Sequence, residues 1–91
     1  MLVIIAYDIV SDKRRNRIHK ALKGYGVNSQ RSVFECDIKM SQFKGLITML
    51  ELMINKDEDD LRIYRFCSDC VSNVVTMGVA QLSPVDEIIV I

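Results

Sequence analysis

Six apolar residues in succession, Leu2, Val3, Ile4, Ile5, Ala6 and Tyr7, run directly into a carboxylate, Asp8. A half-buried strand alternates polar and apolar positions, so an unbroken run of this kind reads as a strand buried on both faces. An unpaired carboxylate in such a place costs several kcal/mol or is forced neutral. Asp8 is therefore expected to have a partner, and Lys13, Arg14, Arg15 and Arg17 follow closely.

The chain has 91 residues, enough for one domain with a modest core. Residues 1–91 are read as that single domain, with a core over 1–67 and a C-terminal strand arm over 68–91. With 49% hydrophobic residues and one Pro the sequence is that of a globular rather than a disordered chain. The apolar N-terminal stretch is too short to span a bilayer and lacks the flanks of a signal peptide, so no membrane association and a cytoplasmic location are expected. A formal net charge of zero hides an asymmetry: Lys13, Arg14, Arg15, Arg17, Lys20, Lys23 and Arg31 face one acid, Asp12, in the same stretch, and Asp57, Glu58, Asp59 and Asp60 return the negative charge later. A basic stripe is the electrostatic footprint of phosphate binding, although a solvated helix face has the same composition. The cysteines, Cys36, Cys67 and Cys70, are odd in number, and Cys67 and Cys70 have only half the ligands of a zinc site. Reduced, partly buried thiols are expected.

Helical and strand periods alternate along the chain. Residues 2–9 form a first strand, and Ser11 or Asp12 caps a helix whose apolar positions Ile18, Ala21, Leu22 and Tyr25 share one face, with Gly24 or Gly26 as its stop. Val27 to Gln30 and Ser32 to Ile38 follow as strands around a turn, with Val33, Glu35 and Asp37 facing one way and Phe34, Cys36 and Ile38 the other. Ser41 reads as the cap of a second helix with Phe43, Leu46, Ile47, Leu50, Met53 and Ile54 on its buried face. The acidic loop closes it, Leu61, Ile63, Tyr64 and Phe66 make a fourth strand, and Val71 to Val79 and Glu87 to Ile91 offer further short ones. The order strand, helix, strand, strand, helix, strand is the split β-α-β pattern of an α+β, ferredoxin-like sandwich. Its helices cover one sheet face, and the uncovered face predicts a two-fold homodimer.

Asp8 sits at the carboxyl end of the first strand, just before the basic helix. Cationic side chains at a helix N-terminus oppose its dipole, and a bound anion would offset that. Arg14, Arg15 and Arg17 all project toward the rim that carries Asp8, so an Asp8–arginine ion pair is one resolution of the buried acid. The other is a shared metal: Mg²⁺ is held by one or two carboxylates plus waters and phosphates, and two copies of Asp8 across a dimer axis would supply a pair. No second catalytic carboxylate stands out beside it. His19, one position beyond the apolar stripe, reads as a surface or packing histidine before a general base. Tyr7, Tyr25 and Phe34 are core aromatics by position, whereas Arg31 occupies a turn.

The segments Tyr7-Asp8-Ile9, Asp12-Lys13-Arg14-Arg15, Gly26 leading into Gln30-Arg31-Ser32-Val33-Phe34-Glu35, and Asp60-Leu61-Arg62-Ile63-Tyr64 resemble the CRISPR-associated protein two family over residues 1–79. Cys67 and Cys70 resemble a common variant of that family's C-terminal region. The resemblance implies a homodimer active in CRISPR adaptation, which binds the duplex that becomes a new spacer and bridges dimers of the adaptation integrase. It also implies a Mg²⁺-dependent endonuclease acting on single-stranded RNA or double-stranded DNA. Asp8 would bind the metal with its copy across the axis. Tyr7, Arg15, Arg17, Ser32 and Phe34 would lie around that site, with Tyr7, Arg15, Arg17 and Phe34 in its catalytic surroundings. With the basic stripe and the turn read above, Arg14, Arg15, Arg17, Arg31 and Ser32 are the expected nucleic-acid contacts. A basic position that some members carry falls on Asn28 or Ser29. Two alternatives stay open: a non-catalytic adaptor that docks the integrase through residues 80–91, and a toxin ribonuclease of the virulence-associated D type, which shares this fold.

Overall fold

A computed structural model describes residues 1–66, 75–76 and 89–90. The first strand, β1 (Leu2–Asp8), leads into α1 (Asp12–Leu22), then β2 (Val27–Gln30), β3 (Val33–Asp37), α2 (Met40–Met53) and β4 (Asp60–Phe66). The sheet order is β2-β3-β1-β4, and every neighbouring pair is antiparallel. This is the ferredoxin-like arrangement expected from the order of elements. A short parallel pair joins β5 (Val75–Thr76) to β6 (Ile89–Val90), within the two C-terminal segments expected to be extended. Cys67, Cys70 and most of the arm over 68–91 lie outside the described residues. No helix among the described residues is long and apolar enough to cross a membrane.

Alternation along β1 builds the core. Val3, Ile5 and Tyr7 point to the helix side, where Phe34, Cys36 and Ile38 join them from β3 and its end. Ile18 and Leu22 of α1 and Leu46 and Leu50 of α2 close the layer, all of them buried. Burying each such side chain contributes about 1.5–3 kcal/mol. The opposite face of β1 runs from buried Leu2 through half-buried Ile4 and Ala6 to exposed Asp8. The strand is thus closed on both faces only at its start, and the expectation of a buried Asp8 is corrected by that gradient.

Local signals account for the helix ends. Ser11 caps α1, its Oγ accepting from the Arg14 amide at 3.2 Å. The second helix begins one residue after Lys39, whose amide donates to Gln42 Oε1 at 2.9 Å, so Ser41 lies inside the first turn instead of capping it. At the exit of α1 the Gly26 amide donates to the Leu22 carbonyl at 3.1 Å. A Cβ on Gly26 would collide with the Glu35 carbonyl oxygen and stand 2.6 Å from Cys36 Sγ, so backbone packs directly on backbone there and only glycine fits. Burial, and to a smaller degree Glu35, pushes the Cys36 thiol up to about 11.

Candidate functional site

Strand alternation sends Tyr7 and Asp8 to opposite sides of the sheet. Tyr7 turns inward: its ring stacks on Phe34 with centroids 6.4 Å apart, and its hydroxyl shares a hydrogen bond of 3.0 Å with His19 Nδ1. The His19 imidazole meets Phe34 edge-on at 5.1 Å. Burial raises the Tyr7 phenol above its ordinary value, and the Arg15 charge partly opposes that. Phe34 is fully buried. Tyr7 and Phe34, both expected at the site, instead form the wall of core behind it, because their faces point away from the solvent that Asp8 meets.

Asp8 is exposed and has no hydrogen bond or ion pair among the described residues. It stands between two open depressions. One, of about 330 Å³, is lined by Ala6, Tyr7, Asp8, Ser32, Val33, Asp60, Arg62 and Tyr64. The other, of about 370 Å³, is lined by Asp8, Ile9, Arg15, Arg31 and Ser32. The turn at Arg31 and Ser32 reaches this end of β1 because the Tyr7 amide donates to the Ser32 carbonyl at 3.0 Å.

The β1–β4 register pairs Asp8 with Asp60. Residues directly opposite on an antiparallel pair project to one face with Cβ atoms about 4.5–5.5 Å apart, so this chain places two carboxylates side by side. The sequence reading assigned Asp60 to the acidic loop and missed it. A usable signal was present: Leu61 and Ile63 alternate with Arg62, and the same period carried one residue upstream puts Asp60 in the strand. The Asp60 carboxylate is largely exposed and lies 3.5 Å from the Arg62 guanidinium.

The arginines divide by partner. Arg14 does not reach Asp8; its Nε and Nη2 donate to the two oxygens of Asp59 at 2.6 and 2.9 Å, and Nη2 also reaches Glu58 at 3.1 Å. The Asp59 side chain is fully buried and accepts the Val10 amide at 3.1 Å and the Asn55 amide at 2.8 Å as well. Arg14, expected to hold nucleic acid, is spent on this ion pair. Arg15 remains at the depression, steadied by Asp12 and by the Ile9 carbonyl at 3.2 Å. Arg17 is exposed on α1 and lines neither depression, while Arg31 is exposed at the rim of one.

A hard divalent cation fits this donor set. The Asp8 and Asp60 carboxylates are adjacent, exposed and oxygen-only, matching the one or two carboxylates that Mg²⁺ takes while keeping several waters. No group of three or more His, Cys, Asp and Glu among the described residues gathers into a cage, so further ligands would be water or substrate oxygen.

Comparison with known proteins agrees with the fold and with the motifs. The model of the family described as CRISPR associated protein Cas2 matches residues 1–74. A CRISPR-associated endoribonuclease Cas2 of Chloroflexus aurantiacus is 42% identical over 79 residues, which cover 86% of this chain and 85% of the relative. A crystal structure of cas2 superposes with a TM-score of 0.72 at 37% identity, covering 98% of each chain. A chain of a partial Cas6-RT-Cas1–Cas2 complex matches with a TM-score of 0.69 at 27% identity, covering 80% of this chain and 86% of the other. With the family model spanning most of its length and the ferredoxin-like sheet laid out as above, the chain belongs to the CRISPR-associated Cas2 family.

Proposed function

We propose that this chain is a Mg²⁺-dependent endonuclease that works as a homodimer in CRISPR adaptation. The observation that carries the reading is Asp8: exposed, unpaired among the described residues, opposite Asp60 and beside a depression rimmed by Arg15, Arg31 and Ser32. Asp8 and Asp60 would hold the metal, which lowers the pKa of a bound water and neutralises charge developing on a phosphodiester. Arg15 and Arg31 would place the phosphate next to the carboxylates, Arg15 with its guanidinium already oriented by Asp12 and the Ile9 carbonyl. Ser32 adds a hydroxyl donor on the same rim. A second copy packed on the helix-free sheet face brings its own Asp8 toward this end of β1, which keeps the cross-axis pairing of Asp8 as part of the reading. The substrate is RNA or duplex DNA, recognised through its backbone by the charges of Arg15 and Arg31 on this rim.

A second reading is supported by the likeness to a chain of a Cas1–Cas2 complex: an adaptor that grips a duplex through the exposed basic residues of α1 and docks the integrase. Cleavage of RNA and of duplex DNA by the wild type and Asp8→Ala, each with Mg²⁺ and with EDTA, tests the nuclease. Cleavage that needs Mg²⁺ and disappears in Asp8→Ala is the expected result, and cleavage retained in that variant overturns it. Spacer acquisition that survives Asp8→Ala and fails on deleting residues 80–91 is the signature of the adaptor.

A further inference from the structure

We infer that the Arg14–Asp59 ion pair is the positioning element of the Asp8–Asp60 site. The β1–β4 ladder begins at Leu2 with Phe66 and ends at Asp8 with Asp60, so the two carboxylates occupy its last rung. Terminal rungs fray first, because they have neighbours on one side only. Here one buried carboxylate holds the end shut. Asp59 is the residue before Asp60, and its Oδ1 accepts the amide of Val10, two residues after Asp8. The same side chain takes the Asn55 amide, which fixes the loop entering β4, and the forked guanidinium of Arg14. Arg14 is itself anchored at its backbone by the Ser11 cap. The chain leaving β1 and the chain entering β4 are therefore tied to one group, and the spacing of Asp8 from Asp60 follows from it. Arg14 and Asp59 touch neither depression; they are positioning residues that act through their neighbours.

The inference rests on the reading of Asp8 and Asp60 as metal ligands, and two measurements keep the two apart. The first is amide hydrogen exchange of the full chain without metal. In Asp59→Asn, exchange at Val10 and at the Asp8–Asp60 end of the ladder is expected to accelerate about tenfold or more while the Leu2–Phe66 end keeps its wild-type rate. Arg14→Gln is expected to match it, and Arg14→Lys, which keeps the charge and loses the fork, to fall between. Equal acceleration along the whole ladder, or none at the Asp8 end, overturns the inference. The second is titration with Mn²⁺, read by its electron spin resonance signal at a temperature where every variant is folded. About tenfold weaker binding in Asp59→Asn and Arg14→Gln is expected, with the double variant no weaker than either alone. Wild-type affinity in folded Asp59→Asn overturns the positioning role. Wild-type affinity in Asp8→Ala overturns the metal reading alone, since the exchange gradient is measured without metal.

Discussion

Asp59 and Asp60 are adjacent in sequence and opposite in every physical respect. The Asp59 carboxylate is sealed from solvent and receives the Arg14 guanidinium and two backbone amides. Its neighbour is 62% exposed, has a loose contact with Arg62 and stands across the sheet from another acid. A carboxylate that is dry and fully satisfied holds structure together; one that is wet and set against a like charge is available for a ligand. One step along the chain is enough to separate the two roles, because Asp59 belongs to the loop that closes on Arg14, Asn55 and Val10 whereas Asp60 opens β4.

Substitutions at the two positions and around them sharpen this contrast. The largest expected effect belongs to Asp8→Ala: on the proposed reading, Mg²⁺-dependent cleavage is expected to fall about a hundredfold or more, since a bound metal would contribute several kcal/mol and each 1.36 kcal/mol is tenfold in rate. Its circular dichroism spectrum stays that of the wild type. Next comes Asp59→Asn, which removes one charge of a buried pair and lowers Tm by several degrees.

The pH dependence of that loss has a definite sign. The Arg14 hydrogen bonds hold the Asp59 carboxyl well below the usual carboxylate range, so as pH falls the unfolded chain takes up its proton before the folded one does. The stabilisation is complete above the unfolded pKa of about 4 and is lost as pH falls through the lower folded value. Denaturant melts from pH 6 to pH 2 are expected to converge for the wild type and Asp59→Asn; curves that stay parallel would break the contrast. Asp60→Asn is expected to behave in the reverse manner, with divalent-cation affinity lowered about tenfold and Tm unchanged or slightly raised, because a like-charge pair across strands has been removed. A Tm drop in Asp60→Asn equal to that of Asp59→Asn would erase the distinction between the two acids. The smallest effect is that of Arg31→Ala, a few-fold weaker binding of nucleic acid with the slope of log K against log salt reduced by about 1.

Much of the fold was readable from periodicity. The alternation of β3 put Phe34, Cys36 and Ile38 together on one face, which is the core side; Ser11 or Asp12 announced the first helix, and Ser11 is its cap; the stripe through Leu46 and Leu50 announced the second. The site was legible in part. Asp8 and the turn carrying Arg31 stood out, whereas Asp60 was hidden in a run of four acids that looks like loop until register with β1 is known. Arg14 was misplaced for a related reason: helical phasing gives its direction but not a partner 45 residues away. Phe34 was placed among the site residues by resemblance although its own strand pattern pointed to the core, and the pattern agrees with the structure. Local periods speak about faces; they are silent about which distant elements meet.

Two like charges on the last rung of the ladder make this end of the molecule a built-in reporter. On the proposed reading, an ion joining Asp8 to Asp60 would bind the folded chain, where the strand register pairs the two acids, and find no such pair in the unfolded one, so its binding free energy would be added to stability by mass action. A melting curve recorded across a series of divalent ions would then rank them for the proposed site without any nucleic acid in the tube, and the same series on Asp60→Asn would supply the baseline.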